Sequence, residues 1–129
     1  MIDKEKFTDW LQAYGQAWET LNPDAIIEIF SEDSLYYETP FAVPFKGREG
    51  IHHYWTTNAL ATQKDVSFGY DGATVSQETG LAHWWATFTM TATGEKVEID
   101  GYLLAEFNSA LQCTCFREWW HVKENQDKS

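Results

Sequence analysis

The groups best suited to proton transfer lie in the last third of the chain, in KVEIDGYLLAEF and LQCTCFREWWHV. Apolar residues recur there at every second position, which is the pattern of β-strands. A turn around Asn108 to Ala110 would place Asp100 of the first strand beside Glu118 of the second. Two neighbouring carboxylates repel each other, so a shared proton would raise the pKa of one of them and suit acid–base catalysis.

A structural role for this pair is the alternative. Asp100 would then cap a bulge at Gly101, and Glu118 would hydrogen-bond a tyrosine. His83, in LAHWWATFTM, is expected on the same face, where it could act as a proton shuttle or as a satisfied structural residue of the sheet. The spacing of His, Cys and Asp along the chain predicts no metal site.

The elements that must position these groups follow from the hydrophobic pattern. Residues 4–21 are predicted to form an amphipathic helix, Asn22 and Pro23 start a short second helix, and SLYYETP is a strand that ends at Pro40. A surface loop, FAVPFKG, leads to a third helix that contains Ile51 and Trp55. The remaining segments have period two, which predicts a four-stranded meander from about residue 64 to 122. The predicted fold is α+β, in the order ααβαββββ.

The predicted meander has two unlike faces. With a two-residue turn at Thr93 and Gly94, Tyr102 is expected opposite Trp85. One face mixes large rings with ionisable groups, namely His83, Trp85, Thr87, Asp100, Tyr102, Leu104, Phe116, Glu118 and Trp120. The other face is apolar and includes Trp84, Phe88, Ile99, Leu103 and Trp119. The mixed face is typical of a ligand pocket, but periodicity leaves open which face meets the helices and which is exposed.

Composition limits the classes of partner. The 129 residues carry a formal net charge of -11, and 16% of them are aromatic. The negative charge repels phosphate backbones and anionic membranes, so neither nucleic acid nor a membrane is expected as a partner. So many rings exceed what a small core needs, and some are expected to line a cavity or an interface. We expect a cytoplasmic protein with a single domain over residues 1–129 and a flexible tail at 123–129.

Several motifs stand in a fixed order: the W-Y-W-D-IF-ED spacing from Trp10 to Asp33, ETP before a loop, GREGI followed by YW, then IDG and the closing REWW. Together they resemble the SnoaL-like branch of the NTF2-like superfamily. The resemblance implies a cone in which a curved, mostly antiparallel sheet wraps around the long N-terminal helix and leaves a pocket. It also implies that two chains pair through the outer face of the sheet.

The resemblance further implies roles for individual residues. IDG is similar to the stretch of ketosteroid isomerase that holds an inward, proton-donating acid, so Asp100 is expected inside the cone. Tyr14 lies on the first helix, where that family keeps its tyrosine. The base of the isomerase directly precedes a proline, and here that position is Thr39, whereas Glu38 is expected to point the other way. This departure argues against steroid isomerisation.

Taken together, these features predict a protein that binds a small, largely apolar ligand with a carbonyl or hydroxyl group. Isomerase, dehydratase or cyclase chemistry without a cofactor or metal is one hypothesis, with catalytic residues Asp100, Glu118, His83 and Tyr14. The expected pocket walls are Trp18, Tyr37, Thr39, Trp55, Trp85, Tyr102, Phe116 and Trp120. A binding module without catalysis and a dimeric scaffold filled by its own rings are the alternatives. A homodimer is expected through the face that carries Trp84, Phe88, Ile99, Leu103 and Trp119.

Overall fold

The computed structural model of the chain describes residues 1–123. Its helices are α1 (Lys4–Glu19), α2 (Pro23–Glu28) and α3 (Gly47–Trp55), and α3 continues into a π-helical turn at Thr56–Leu60. Its strands are β1 (Phe30–Tyr37), β2 (Phe45–Lys46), β3 (Gln63–Ser76), β4 (Thr79–Met90), β5 (Lys96–Phe107) and β6 (Cys113–Val122). The α+β class is confirmed, with one short strand, β2, added inside the expected loop. Of the tail predicted at 123–129, all but Lys123 lies outside the described residues.

The first two helices begin where side chains cap them. Asp3 accepts a hydrogen bond from the backbone amide of Lys6 at 2.8 Å, and Asn22 accepts one from Ala25 at 3.2 Å. Helix α1 ends before the predicted residue 21, because Leu21 has φ +52°, a left-handed conformation that interrupts a right-handed helix. Within residues 1–123 no helix is both long enough and apolar enough to cross a membrane.

The six strands form one curved sheet in the order β2-β1-β6-β5-β4-β3. Neighbouring strands are antiparallel except for β1 and β6, which are parallel. The inner face is buried against the helices and carries Ala82, Trp84, Ala86, Phe88, Leu103, Ala105, Phe107, Phe116 and Glu118. Rings of α1 cover it, namely Phe7, Trp10, Tyr14 and Trp18. The largely apolar face of β4 and β5 therefore meets the helices. The mixed face, which the family resemblance implied would point into the cone, is the outer one in these two strands, so that prediction is wrong.

The pairing of β4 with β5 differs from the predicted register by two residues. Tyr102 lies opposite His83 rather than Trp85. The connecting turn is longer than two residues, because the backbone amide of Met90 closes it by donating to the carbonyl of Glu95 at 2.8 Å. An even shift moves each side chain along the strand but keeps it on its predicted face.

The pairing of β5 with β6 differs from the predicted register by three residues, and this odd shift changes the site. Asp100 lies opposite His121, three residues beyond Glu118, which lies opposite Leu103 instead. The loop between the strands is longer than the predicted turn, and the ladder shifts its register beside that loop. An odd shift exchanges the two faces of a strand. Glu118 therefore points inward and Asp100 outward, and the predicted pairing of these two acids is wrong.

The apolar face that was expected to join two chains is buried inside one chain. Trp84, Phe88 and Leu103 expose 3%, 7% and 0% of their surface, so they are not available to a partner. Trp119 lies on the outer face instead and is 43% exposed. The assignment of Trp84, Phe88 and Leu103 to the dimer contact is therefore wrong, and a homodimer through the outer face of the sheet stays a prediction.

Candidate functional site

A cavity of about 440 Å³ lies between the inner face of the sheet, α1, α3 and the π-helical turn. A space of this size holds a small organic molecule. Rings form much of its wall: Tyr14, Trp18, Tyr36, Tyr54, Trp55, Trp84, Phe88 and Trp120. Among the described residues that line it, the charged ones are all acidic, namely Glu38, Glu95 and Glu118. The rest of the wall is Asn58, Ala59, Thr62, Gln63, Met90, Val97, Ile99 and Val122.

Glu118 is the buried acid of the cavity and exposes only 5% of its surface. Burial among rings raises the pKa of its carboxyl group well above the ordinary 4.5, and the charge of Glu38 raises it further. The hydroxyl of Tyr36 donates a hydrogen bond to Oε2 and lowers this pKa, but at 3.3 Å the bond is longer than most between oxygens. Burial is the largest of these effects, so Glu118 keeps its proton to a higher pH than an exposed glutamate does.

Tyrosine hydroxyls connect Glu118 to the interior. The hydroxyl of Tyr14 lies 3.2 Å from that of Tyr36, so Tyr14 donates to Tyr36 when Tyr36 donates to Glu118. Burial raises the pKa of both phenols well above 10.0, and the charge of Glu118 raises it further. On α3, burial and the charges of Glu118 and Glu38 raise the pKa of Tyr54. All three phenols stay protonated and can donate hydrogen bonds.

The second acid, Glu38, follows directly after β1. This strand buries Ser34 and Tyr36, and the same alternation brings Glu38 to the cavity. The prediction that Glu38 points away is wrong, because the strand presents the opposite set of residues to the interior. The indole Nε1 of Trp120 donates to the backbone carbonyl of Glu38 at 2.9 Å and so connects the end of β1 to β6.

Five residues predicted as walls lie outside the cavity, namely Tyr37, Thr39, Phe116, Trp85 and Tyr102. Tyr37 points to the outer face, where the guanidinium of Arg117 lies 4.1 Å from the centroid of its ring. Thr39 lies beyond the end of β1 and does not reach the cavity. Phe116 points inward but is packed in the core behind the wall, with no exposed surface.

Five residues chosen from the sequence line the cavity, namely Tyr14, Trp18, Trp55, Glu118 and Trp120. A hydrogen bond from Nε1 of Trp18 to Oε1 of Gln63, at 2.8 Å, fixes one ring. Trp55 packs edge to face on Tyr14 and Trp18, with centroids 5.8 and 5.5 Å apart. Within the described part of the chain its indole N–H has no hydrogen-bond partner. The ring packing gives the cavity a preformed wall.

His83 and Asp100 meet on the outer face of the sheet. Nε2 of His83 lies 2.9 Å from Oδ2 of Asp100, and Nδ1 lies 2.8 Å from Oδ1 of Asp71. Hydrogen bonds to Asp71 and to Asp100 raise the pKa of His83. The rings of Trp85 and Tyr102 flank it, with centroids 5.1 and 5.3 Å away. Four predicted site residues thus form a cluster outside the cavity, and residues 1–123 contain no group of three or more His, Cys, Asp or Glu suited to a metal ion.

Most residues of the cavity were not predicted as such from the sequence, and those that carry a ring or an acid group are Tyr36, Glu38, Tyr54, Trp84, Phe88 and Glu95. The adjacent tyrosines of SLYYETP fit either alternation, so the strand pattern did not choose between Tyr36 and Tyr37. Tyr54 belongs to the helical spacing that predicted α3, and that spacing was a usable signal. Trp84 was assigned to the apolar face, which turned out to be the inner one.

A curved sheet wrapped around a long helix, with an aromatic cavity between them, defines an α+β cone of the NTF2-like class. The SnoaL-like domain family matches residues 11–110, and the chain belongs to this family. The resemblance seen in the sequence is thereby confirmed. No curated protein matches the chain.

Two solved structures are similar to this chain in fold. The first is the epoxide hydrolase/cyclase-like enzyme SalBIII, described in pyran ring formation in the polyether salinomycin. It is 18% identical over 94% of this chain and 95% of its own, with a TM-score of 0.80. The second is a hypothetical protein with a ketosteroid isomerase-like fold from Catenulispora acidiphila DSM 44928, in complex with trimethylamine. It is 16% identical over 85% of this chain and 83% of its own, with a TM-score of 0.76. At such identities the likeness concerns the fold alone.

Proposed function

We propose that the chain is a cofactor-independent acid–base enzyme acting on a small, largely apolar molecule in the cavity. One observation carries the proposal: Glu118, an acid with 5% of its surface exposed, lines the cavity, and burial raises its pKa. A perturbed acid in a concave site is typical of catalytic positions, because a carboxyl group that keeps its proton can donate it. The acid–base pair of this proposal is Glu118 and Glu38, whereas the sequence had predicted Asp100 and Glu118.

In this mechanism Glu118 donates a proton and Glu38 accepts one. With a carbonyl compound, Glu118 protonates the oxygen while the Glu38 carboxylate removes a proton from the adjacent carbon. The electrons of the broken C–H bond form the carbon–carbon double bond of an enol. With a ketone whose double bond lies one carbon further from the carbonyl group, Glu38 returns its proton to the far carbon of the dienol while Glu118 takes back the enol proton, which completes an isomerisation. With a β-hydroxy ketone, the hydroxyl group takes the proton from Glu38 and leaves as water while Glu118 takes back the enol proton, which completes a dehydration. Tyr36 donates to the Glu118 carboxylate and so favours its release of the proton.

The two fold neighbours support a pocket for small molecules. SalBIII is described as an epoxide hydrolase/cyclase-like enzyme, and the protein from Catenulispora was solved with trimethylamine. Steroid isomerisation is not proposed, since Thr39 occupies the position of the isomerase base and lies outside the cavity wall.

Deuterium exchange tests the proposal without knowledge of the natural substrate. The chain is incubated in heavy water with a panel of small cyclic ketones, and NMR follows deuterium incorporation next to the carbonyl group. Glu118→Gln and Glu38→Gln are each expected to slow the exchange by about a hundredfold. Glu106→Gln, at an exposed position of β5 outside the cavity, is the control and should exchange as the wild type does. Exchange no faster than buffer with every ketone would contradict the proposal.

Binding without catalysis is the second candidate function. It is favoured by the wall itself, in which rings and aliphatic side chains far outnumber polar groups. Under this alternative, ketones shift the indole NMR signals of Trp18 and Trp120 but exchange no faster than in buffer. The same experiment therefore separates the two candidates.

A further inference from the structure

We propose that the ligand of this cavity carries a positive charge, as a protonated amine or a quaternary ammonium group. The inference names the substrate class of the same cavity, and it rests on the proposed function in taking the cavity as the working site. It is carried by the signs of the charges in the wall, by the ring faces, and by a buried carboxyl group with an unfilled bonding position.

The charges that line the cavity have one sign. The acidic residues there are Glu38 at the end of β1, Glu95 in the turn before β5, and Glu118 of β6, which holds its proton and so adds no full charge. No lysine, arginine or histidine is among the described lining residues. The net charge of -11 adds a negative field around the whole chain. A ligand with a carboxylate or phosphate would meet repulsion and find no cationic partner in this wall, whereas a cation would be attracted into it.

The rings give the cavity a second way to hold a cation. The face of a tryptophan or tyrosine ring attracts a cation within about 6 Å of its centroid, and quaternary ammonium groups are recognised in cages built from such rings. Tyr14 stacks on Trp10 and Phe116, each with its centroid 5.4 Å away, so its faces are occupied. Trp18 and Trp55 pack edge to face with centroids 5.5 Å apart, so their faces turn in different directions. An aromatic wall of this kind with acidic residues around it suits an organic cation better than a neutral hydrocarbon.

A buried carboxyl group points to a ligand independently of the charges at the surface. Glu118 is 5% exposed and lines the cavity, yet within residues 1–123 only its Oε2 has a hydrogen-bond partner, the hydroxyl of Tyr36. The other titratable groups that face it are Tyr14 of α1, Tyr54 of α3 and Glu38, and none of them brings a positive charge. The other carboxyl oxygen of Glu118, Oε1, can therefore form a hydrogen bond with the uncharged part of a ligand.

Burial suggests how the ligand lies. Glu95 is exposed and Glu38 is half-buried, so these acids stand where the cavity meets solvent, while Glu118 is enclosed. A hydrated cation loses less hydration near Glu95 than beside Glu118. The cationic end is therefore placed toward Glu95, and the reacting part of the ligand toward Glu38 and Glu118.

Two probes of one shape test the inference. Choline is compared with its uncharged carbon analogue, in which a tert-butyl group replaces the trimethylammonium group, and calorimetry on the full chain gives both affinities. Choline is expected to bind at least about tenfold more tightly. Glu95→Gln should remove most of this preference, whereas Glu106→Gln should keep it, although both variants lose one exposed acid.

Equal affinities for the two probes, or no binding of choline at millimolar concentration, would overturn the inference. An equal preference for choline in Glu95→Gln and Glu106→Gln would overturn the placement of the cation. Because binding involves no chemical step, the outcome is independent of the exchange experiment. If the chain catalyses exchange but shows no preference for choline, only the proposal of a cationic ligand is rejected. If it prefers choline but catalyses no exchange, only the proposal of an enzyme is rejected.

Discussion

The hydroxyl of Tyr36 lies 3.3 Å from Oε2 of Glu118 in the interior of the protein. The two residues come from β1 and β6, which are parallel neighbours in the sheet but lie far apart in the chain. Their hydrogen bond offsets only part of the cost of ionising a buried acid, because burial acts more strongly on the pKa of Glu118 than Tyr36 does. The stability of the fold must therefore depend on the ionisation of Glu118.

Glu118→Gln is expected to stabilise the protein at alkaline pH. The folded chain holds this proton more tightly than the unfolded chain, so wild-type stability is greatest below the ordinary value of 4.5 and falls as pH rises through the raised pKa. Glutamine does not ionise, so the stability of the variant does not fall in this way. In urea denaturation its free energy of unfolding should exceed that of the wild type by about 1 kcal/mol or more near pH 9, with little difference near pH 4. Parallel curves at every pH would contradict the raised pKa.

Tyr36→Phe is expected to raise the pKa of Glu118 further. The substitution removes the donor that stabilises the carboxylate and leaves the ring, and therefore the burial, nearly unchanged. Tyr14→Phe is the matched control, since its hydroxyl bonds Tyr36 and not Glu118. Carbon-detected NMR titration of the carboxyl group should show the larger shift for Tyr36→Phe. A larger shift for Tyr14→Phe would mean that the network is connected differently.

The exposed cluster on the outer face should make His83 more basic than a free histidine. Asp71→Asn and Asp100→Asn are each expected to lower the pKa of His83, and Asp71→Asn to lower it more, because the bond to Asp71 has the larger effect. The aspartates stabilise the fold at acid pH through charged His83, and this contribution is lost as pH rises through the raised pKa. Imidazole NMR titration measures the shift. An unchanged pKa in both variants would exclude the two bonds.

Gly101→Ala is expected to destabilise the fold by about 3 kcal/mol. An added methyl group would overlap the backbone oxygen of Trp119 on β6, which cannot move without disturbing the sheet. Gly50→Ala in α3 is the control, because its methyl group would meet only ordinary contacts, the nearest 3.6 Å away on Phe45, and alanine favours helix. Urea denaturation should separate the two variants clearly. Equal stabilities would contradict the close approach of β5 and β6.

A homodimer through the outer face of the sheet is still predicted, with other residues at the contact than those expected from the sequence. Trp85, Tyr102 and Trp119 are 39%, 51% and 43% exposed there, and a second copy would cover all three. Tyr102→Glu is expected to shift the sedimenting species from two chains to one. Phe41→Glu is the control, since Phe41 is 99% exposed on the loop between β1 and β2 and belongs to no strand of the sheet. A wild-type monomer at micromolar concentration would remove the prediction.

Part of the cavity could be predicted from the sequence alone. Helical spacing fixes which residues share one side of a helix, so Tyr14 and Trp18 of α1 and Trp55 of α3 were placed correctly beside the cavity. Strand residues were harder, because alternation divides a strand into two sets without saying which set is inside. Asp100 was assigned to the interior through the family resemblance and lies on the outer face.

The sequence by itself determined the elements, their order and the α+β class, since caps, spacing and turn residues act over a few neighbouring positions. Only the tertiary structure decided which acids meet. That choice depends on the register of β6 against β5 and on the parallel contact of β6 with β1, and both join residues far apart in the chain. Because side chains alternate along a strand, an odd shift in the β5–β6 register turned Glu118 toward Tyr36 and away from Asp100.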